Sequence, residues 1–77
     1  MRFQLDLILR QAEGALTRVL GLAERRGFRP TDVDAHAQHD GAHWHLRMTV
    51  EGDRSGDGLA QQLAKQYDCL AVDVREA

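Results

Sequence analysis

Three histidines in the second half of the chain have a spacing that could bring their imidazoles to one metal ion. His43 and His45 are two residues apart, and His36 precedes them across a short turn. Residues i and i+2 of a strand share a face, and imidazole nitrogens bind zinc. No cysteine or carboxylate is clearly aimed at the group, so we interpret it as solvated cross-strand histidines and expect no metal. A zinc site remains the alternative.

The loop from Arg10 to Gly14 is a candidate binding site, because a helix is predicted to begin where it ends. The first turn of a helix carries unpaired N–H groups and a partial positive charge, which can hold a carboxylate. Gly14 has no Cβ, and the small residues Ala15 and Thr17 leave room for a ligand. In the alternative interpretation, Gly14 only serves a tight turn and the N–H groups face water.

No group of residues predicts catalysis. Asp32 and Asp34 lie on the polar side of a predicted strand, and no serine has a plausible histidine and acid beside it. Cys69 has no adjacent activating base, so we interpret it as a small buried apolar residue and not as a reactive thiol. A chain of 77 residues also encloses little pocket volume by itself. We therefore expect a protein that is not an enzyme and has no catalytic residues.

Composition limits the remaining classes of protein. The length predicts a single domain over residues 1–77, and a core this small would gain stability from a partner. The net charge is −2 and no basic run occurs, which disfavours a nucleic-acid partner. No apolar run approaches the roughly 20 residues of a membrane span. The single cysteine excludes an internal disulfide and fits a reducing compartment, so we expect a cytoplasmic protein.

The elements that position these residues follow from hydrophobic periodicity. The segment RFQLDLIL alternates with period two and predicts a strand, and the apolar stripe from Leu16 to Ala23 predicts a helix over about residues 14–26. A hairpin follows, turning at Asp40-Gly41. A second helix is predicted with Ser55 or Asp57 as its cap and an inner stripe of Leu59, Leu63 and Tyr67. The last strand is predicted to turn Leu70, Val72 and Val74 inward.

The hairpin register can be predicted from its alternation. A loop with an even number of residues pairs Ala37 with Trp44, and it sets His36 opposite His45. A three-residue loop would place alanines against histidines and break the apolar face. The even loop is therefore predicted.

The order β-α-β-β-α-β predicts an α+β, ferredoxin-like fold, a four-stranded antiparallel sheet with two helices on one face. The expected strand order is 4-1-3-2, which leaves the second strand at an open edge. Pro30 fits that position because it cannot donate a ladder hydrogen bond. Open edges invite pairing with another chain, so we expect a homodimer with a seam formed by Pro30, Thr31, Asp32 and Val33.

The segment GALTRVLGLAERRGF resembles the signature of the ACT-domain small regulatory subunit of acetolactate synthase (acetohydroxyacid synthase). That family typically shows Asn-x-x-Gly-(Val/Ala)-Leu-x-Arg-Val at the helix start and Arg-Gly-(Tyr/Phe) at its exit. The matching residues here are Gly14, Ala15, Leu16, Arg18, Val19, Arg26, Gly27 and Phe28. A second block, MTVEGD at 48–53 with QQLAKQYDCLAVDV at 61–74, also resembles the family.

The resemblance implies a non-catalytic subunit that binds and activates a thiamine-diphosphate-dependent catalytic subunit in branched-chain amino-acid biosynthesis. The small chain itself carries no cofactor. ACT domains of this kind often dimerise side by side and bind an amino acid between protomers, near the start of the first helix. Carried over to this chain, the effector site comprises Gln11, Gly14, Ala15, Leu16 and Arg29.

Two of these positions depart from the family pattern. Gln11 stands where the family has asparagine, and Arg29 replaces the asparagine that often follows the aromatic residue. A longer amide and a bulky cation crowd a pocket for a small amino acid. The chain is similar to the short, isozyme II-like type of small subunit, so we expect weak or absent valine feedback. The alternative is a free-standing ACT domain that senses another amino acid.

Overall fold

The computed structural model describes residues 1–77, and its elements follow the predicted order. They are β1 (Arg2–Arg10), α1 (Ala15–Arg25), β2 (Arg29–Ala37), β3 (His43–Glu51), α2 (Gly56–Ala64) and β4 (Cys69–Glu76). The strands form one antiparallel sheet in the order β2-β3-β1-β4, which is the predicted 4-1-3-2. The ferredoxin-like fold class is confirmed. Neither helix is long and apolar enough to cross a membrane.

The core lies between one face of the sheet and the two helices. The inward positions of β1 and β3 are apolar, and all but the partly buried Trp44 are buried. They form one cluster with Val19 and Ala23 of α1 and with Leu59 and Leu63 of α2. Burying one such large side chain contributes about 1.5–3 kcal/mol. The alternation of β1 therefore determines which face the helices cover, as the sequence predicts.

The end of α1 is set by a glycine. Gly27 has φ of 88°, a left-handed conformation that a residue with a Cβ rarely adopts. This turn lets the N–H of Phe28 donate to the Ala23 carbonyl at 3.0 Å, while the N–H of Gly27 donates to Glu24. The arrangement is a Schellman motif, which satisfies carbonyls at the helix end. It also turns Phe28 into the core, where it is 3% exposed.

The predicted hairpin register is confirmed. Ala37 lies opposite Trp44, and His36 lies opposite His45. Asp40 holds the turn, because its Oδ1 accepts from the N–H groups of Ala42 at 2.9 Å and His43 at 3.2 Å. The Ala42 N–H, followed by the imidazole of His43, lowers the pKa of the Asp40 carboxyl.

Two predicted inward positions are wrong. α2 ends at Ala64, so Tyr67 lies beyond the helix; its side chain is 80% exposed and its ring packs under the Arg10 guanidinium. In β4 the register shifts between Ile8 and Leu9 of β1. Cys69 takes the inward position there, and the skipped Leu70 is 42% exposed. A bulge of this kind changes the face of every residue before it, which alternation alone cannot reveal.

Candidate effector site at the start of α1

The start of α1 has no side-chain cap. Gly14 is the N-cap residue with φ of 78° and ψ of 3°, and no side chain accepts a hydrogen bond from the first turn. The N–H of Ala15 donates to the Ala12 carbonyl at 3.1 Å, but the N–H groups of Leu16 and Thr17 have no acceptor. Two backbone donors at the positive end of the helix therefore remain free for an anionic group.

An ion pair fixes the loop beside this helix start. The carboxylate of Asp68, a residue that is only 5% exposed, accepts from Nε of Arg18 at 2.7 Å and lies 2.6 Å from its Nη2. The same Nη2 donates to the Glu13 carbonyl at 2.8 Å. The Asp68 carbonyl accepts from the N–H of Arg10 at 2.8 Å. Asp68 thus connects the end of β1, the loop and α1 through two different groups.

This ion pair gives Gly14 a packing role. The Arg18 guanidinium crosses directly over Gly14, so a Cβ built there would lie 2.8 Å from Nη1. Gly14 is needed both for its left-handed φ and for the passage of Arg18 to Asp68. Sequence analysis did not identify Asp68 as part of this site. The available signal was that Arg18 and Asp68 stand in the two separate blocks of the family resemblance.

Alanine at Gly14 is expected to lower the free energy of unfolding by about 1–2 kcal/mol, the cost of a left-handed non-glycine residue. Displacement of Arg18 adds to that cost. Gly41→Ala is the matched control, because Gly41 has φ of 69° and no atom within 4 Å of its Cβ position. Urea unfolding of both variants separates the cost of the left-handed φ, which both share, from the cost of displacing Arg18, which only Gly14→Ala has. Equal losses would contradict the packing role of Gly14.

Gln11 lies beside the helix start and is already engaged. Its backbone N–H donates to the Ala42 carbonyl at 2.9 Å, and its side-chain Nε2 donates to the His43 carbonyl at 2.8 Å. Of the other proposed effector residues, Ala15 is buried and Leu16 is partly buried. The structure therefore brings Gln11, Gly14, Ala15 and Leu16 together at one end of the sheet.

Arg29 lies at the opposite end of the sheet in the same chain. On β2, Arg29 lies opposite Glu51 of β3. Glu51 in turn lies opposite Arg2, the first residue of β1. Gln11 follows the other end of β1, about 31 Å from Arg2 for a rise of roughly 3.4 Å per residue. Arg29 Nη2 lies 2.6 Å from Glu51 Oε1, and this contact, followed by Arg2, lowers the pKa of the Glu51 carboxyl.

The three histidines face separate carboxylates on or beside the open face of the sheet. Nε2 of His36 lies 3.0 Å from Asp34, Nε2 of His45 lies 3.4 Å from Asp6, and Nδ1 of His43 contacts Asp40. The pKa of the Asp6 carboxyl is lowered chiefly by its hydrogen bond from Arg47. No group of three or more His, Cys, Asp or Glu side chains is arranged to hold a metal ion. The arrangement is one of separate histidine–carboxylate contacts on the surface.

A family comparison identifies the helix start as part of a known module. The model of the ACT domain matches residues 11–72, which include the loop from Gln11, both helices, β2, β3 and the first half of β4. The chain belongs to the ACT-domain family. ACT domains are typically regulatory and bind ligands. The ACT part of the predicted resemblance is confirmed, whereas its acetolactate synthase part stays a prediction.

Solved structures show the same fold in different proteins. The ACT domain of the GTP pyrophosphokinase of Chlorobium tepidum superposes with a TM-score of 0.79 at 9% identity, covering 97% of each chain. A formyltetrahydrofolate deformylase from Burkholderia mallei superposes with a TM-score of 0.77 at 19% identity, covering 97% of this chain and 28% of the deformylase. The C-terminal domain of the MgtC protein from Mycobacterium tuberculosis superposes with a TM-score of 0.69 at 14% identity, covering 99% of this chain and 86% of that one. This chain thus spans less than a third of the deformylase.

Proposed function

We propose that this ACT domain is a cytoplasmic regulatory subunit that binds and activates the catalytic subunit of acetolactate synthase, with weak or absent valine feedback. The ACT match over residues 11–72 carries the regulatory part of the proposal. The choice of enzyme rests on the two sequence blocks that resemble its small subunit. The thiamine diphosphate chemistry belongs to the catalytic subunit, and this chain supplies binding surfaces.

The proposal includes a homodimer formed through β2. The N–H of Gln38 donates to His43 of β3 at 2.8 Å. Donors alternate in direction along an antiparallel strand, so Ala37, Ala35 and Val33 direct their N–H groups away from the sheet. Val33 is also 45% exposed, beside that row of free donors. An open edge with free donors and an exposed apolar side chain suits a second copy of the same strand.

An antiparallel β2–β2 seam would complete the effector site. It would place the start of the partner subunit's β2 beside the end of β2 in this chain. That end lies at the same end of the sheet as Gln11 and the start of α1. The seam would therefore bring the partner subunit's Arg29 toward a helix start from which Arg29 of the same chain is far away.

Two observations support weak valine feedback within this arrangement. The Gln11 amide already donates to the His43 carbonyl, so it must give up that hydrogen bond to contact a ligand. Arg29 adds a long charged side chain where the family carries a short amide. Both features leave fewer well-placed polar groups for a small zwitterion.

A free-standing amino-acid sensor is the second candidate. The unpaired N–H groups of Leu16 and Thr17 favour it, because they can receive a carboxylate whether or not a catalytic partner is present. Calorimetry with a panel of amino acids and no partner distinguishes the two functions. A tight ligand favours the sensor.

The decisive experiment is an acetolactate synthase assay. We expect the catalytic subunit from the same organism to be activated several-fold by this chain, and the activation to persist in millimolar valine. Activation abolished by valine would show that Gln11 and Arg29 still permit a working pocket and would contradict the feedback part. The absence of both activation and co-purification would overturn the subunit assignment.

A further inference from the structure

A groove of about 410 Å³ lies on the helix side of the molecule, where the end of α1 meets the start of α2. Arg26 and Arg54 lie on its rim, Phe28 and Leu59 form its floor, and Ser55 and Gly58 contribute one wall. We propose that this groove is a second binding site, for a small organic anion with a carboxylate or phosphate head and a short apolar tail. Arg26 and Phe28 belong to the family signature, but the effector-site proposal does not involve the groove.

The charge of the groove points to an anion. Arg26 and Arg54 are its only charged residues, although the chain has a net charge of −2. Each of the three other hollows on the surface combines arginines with carboxylates. Arg54 also lines the adjoining hollow that contains Asp53 and Asp57, but neither Arg26 nor Arg54 forms an ion pair. Two guanidinium groups that are not paired with carboxylates attract an anionic ligand.

The arginine donors are largely free. Arg54 makes no hydrogen bond or ion pair, and Arg26 donates only through Nη2, to Oε1 of Gln62 at 3.0 Å. A guanidinium has five N–H donors in a planar fork that matches a carboxylate or a phosphate. The two side chains therefore retain most of their capacity to bind such a head group.

The floor of the groove explains the apolar tail. Phe28 and Leu59 are the two apolar residues that line the groove, and at 3% and 2% exposure they present apolar atoms only at its bottom. The wall beside them is open, because a Cβ built on Gly58 would meet only Ser55, at 3.8 Å. The volume falls within the range of about 300–1,000 Å³ of small-molecule sites. A branched aliphatic or aromatic tail on the anion suits this shape.

The groove is distinct from the helix start. Arg26 and Phe28 follow α1, whereas Gly14 precedes its 11 residues. At about 1.5 Å per residue, the two sites are roughly 16 Å apart along the helix axis. The proposal therefore does not depend on the regulatory function, and each site can be tested without the other.

The test is a nuclear magnetic resonance titration of the labelled chain with sodium isovalerate, inorganic phosphate and the neutral 3-methylbutanamide. We expect isovalerate to shift the amide signals of Gly58, Leu59 and Gln62, and phosphate to shift the same signals more weakly. The neutral amide is expected to have little effect. Arg26→Gln with Arg54→Gln is expected to weaken isovalerate binding about tenfold or more, since hydrogen bonds to charged groups are the stronger class.

Two further variants keep the test independent of folding. Arg25→Gln removes an exposed neighbour that does not line the groove and is expected to leave the affinity unchanged. Gly58→Leu fills the groove without removing a charge and is expected to weaken binding as the double variant does. Shifts confined to residues 11–17, equal binding by the double variant, or equal loss in Arg25→Gln would each overturn the proposal.

Discussion

Replacing Val33 with lysine is expected to convert a dimer of this chain into monomers. Val33 lies on the open edge of the sheet and is the one large apolar side chain of β2 that is strongly exposed, at 45%. A β2–β2 seam brings two copies of this position close to the two-fold axis, where paired ammonium groups would repel each other. Lysine on an edge strand is also a common device against strand pairing. Loss of a central contact of this kind raises the dissociation constant about 30-fold or more.

Sedimentation equilibrium over a wide range of concentrations measures this effect. Leu70→Lys is the matched control, because Leu70 is similarly exposed, at 42%, but lies on β4 at the opposite edge of the sheet. The control is expected to remain dimeric, and both variants should keep the circular dichroism of the native chain. A monomeric native chain, or dissociation of the Leu70 variant alone, would refute the β2 seam.

The second large effect is expected at Gly56, where alanine should destabilise the domain despite its higher helix propensity. Gly56 is the first residue of α2, and a Cβ there would lie 2.6–2.9 Å from three ring atoms of Phe3. Phe3 is itself 7% exposed and packs edge-to-face on Phe28, with ring centres 6.3 Å apart. The ring therefore has little room to move. Such overpacking costs about 1–3 kcal/mol.

Gly58→Ala provides the control for this prediction. It lies two residues further along the same helix, and its Cβ would meet only Ser55, at ordinary contact distance. The higher helix propensity of alanine then acts alone, and Gly58→Ala is expected to raise the free energy of unfolding by up to about 1 kcal/mol. Thermal unfolding should move in opposite directions, by roughly 4–8 °C for each kcal/mol in a domain of this size. A higher unfolding temperature in both variants would show that the Phe3 ring moves aside at little cost, which would contradict the prediction.

Most of the fold could be predicted from the sequence because each strand and helix keeps one regular spacing of apolar residues. The alternation of β1 and β3 and the stripe of α1 predicted the faces that are buried, and the even loop predicted the pairing of His36 with His45. A wrong register would have exposed one whole set of apolar residues, so the pattern admits a single solution. The two wrong predictions are Tyr67, which follows the end of α2, and Leu70, which lies at the bulge near the start of β4. The helix end and the bulge each interrupt the apolar period.

The effector site was only partly accessible to sequence. Local patterns placed the helix start at Gly14, since a glycine between a strand period and a helix period marks a change of backbone direction. They did not show that Asp68 anchors this start, because the two residues of the ion pair are 50 positions apart. They also did not show that Arg29 is remote from Gln11 within one chain.

The sequence by itself therefore determined the order of elements, the strand pairing and the buried faces, because these depend on periods that repeat along the chain. Only the tertiary structure decided which polar groups meet. Three such features depend on where separate elements come together: the contact of Arg18 with Asp68, the crowding of Phe3 against Gly56, and the two groove arginines that form no ion pair. A distance between such side chains is set by packing in three dimensions, and no local pattern encodes it.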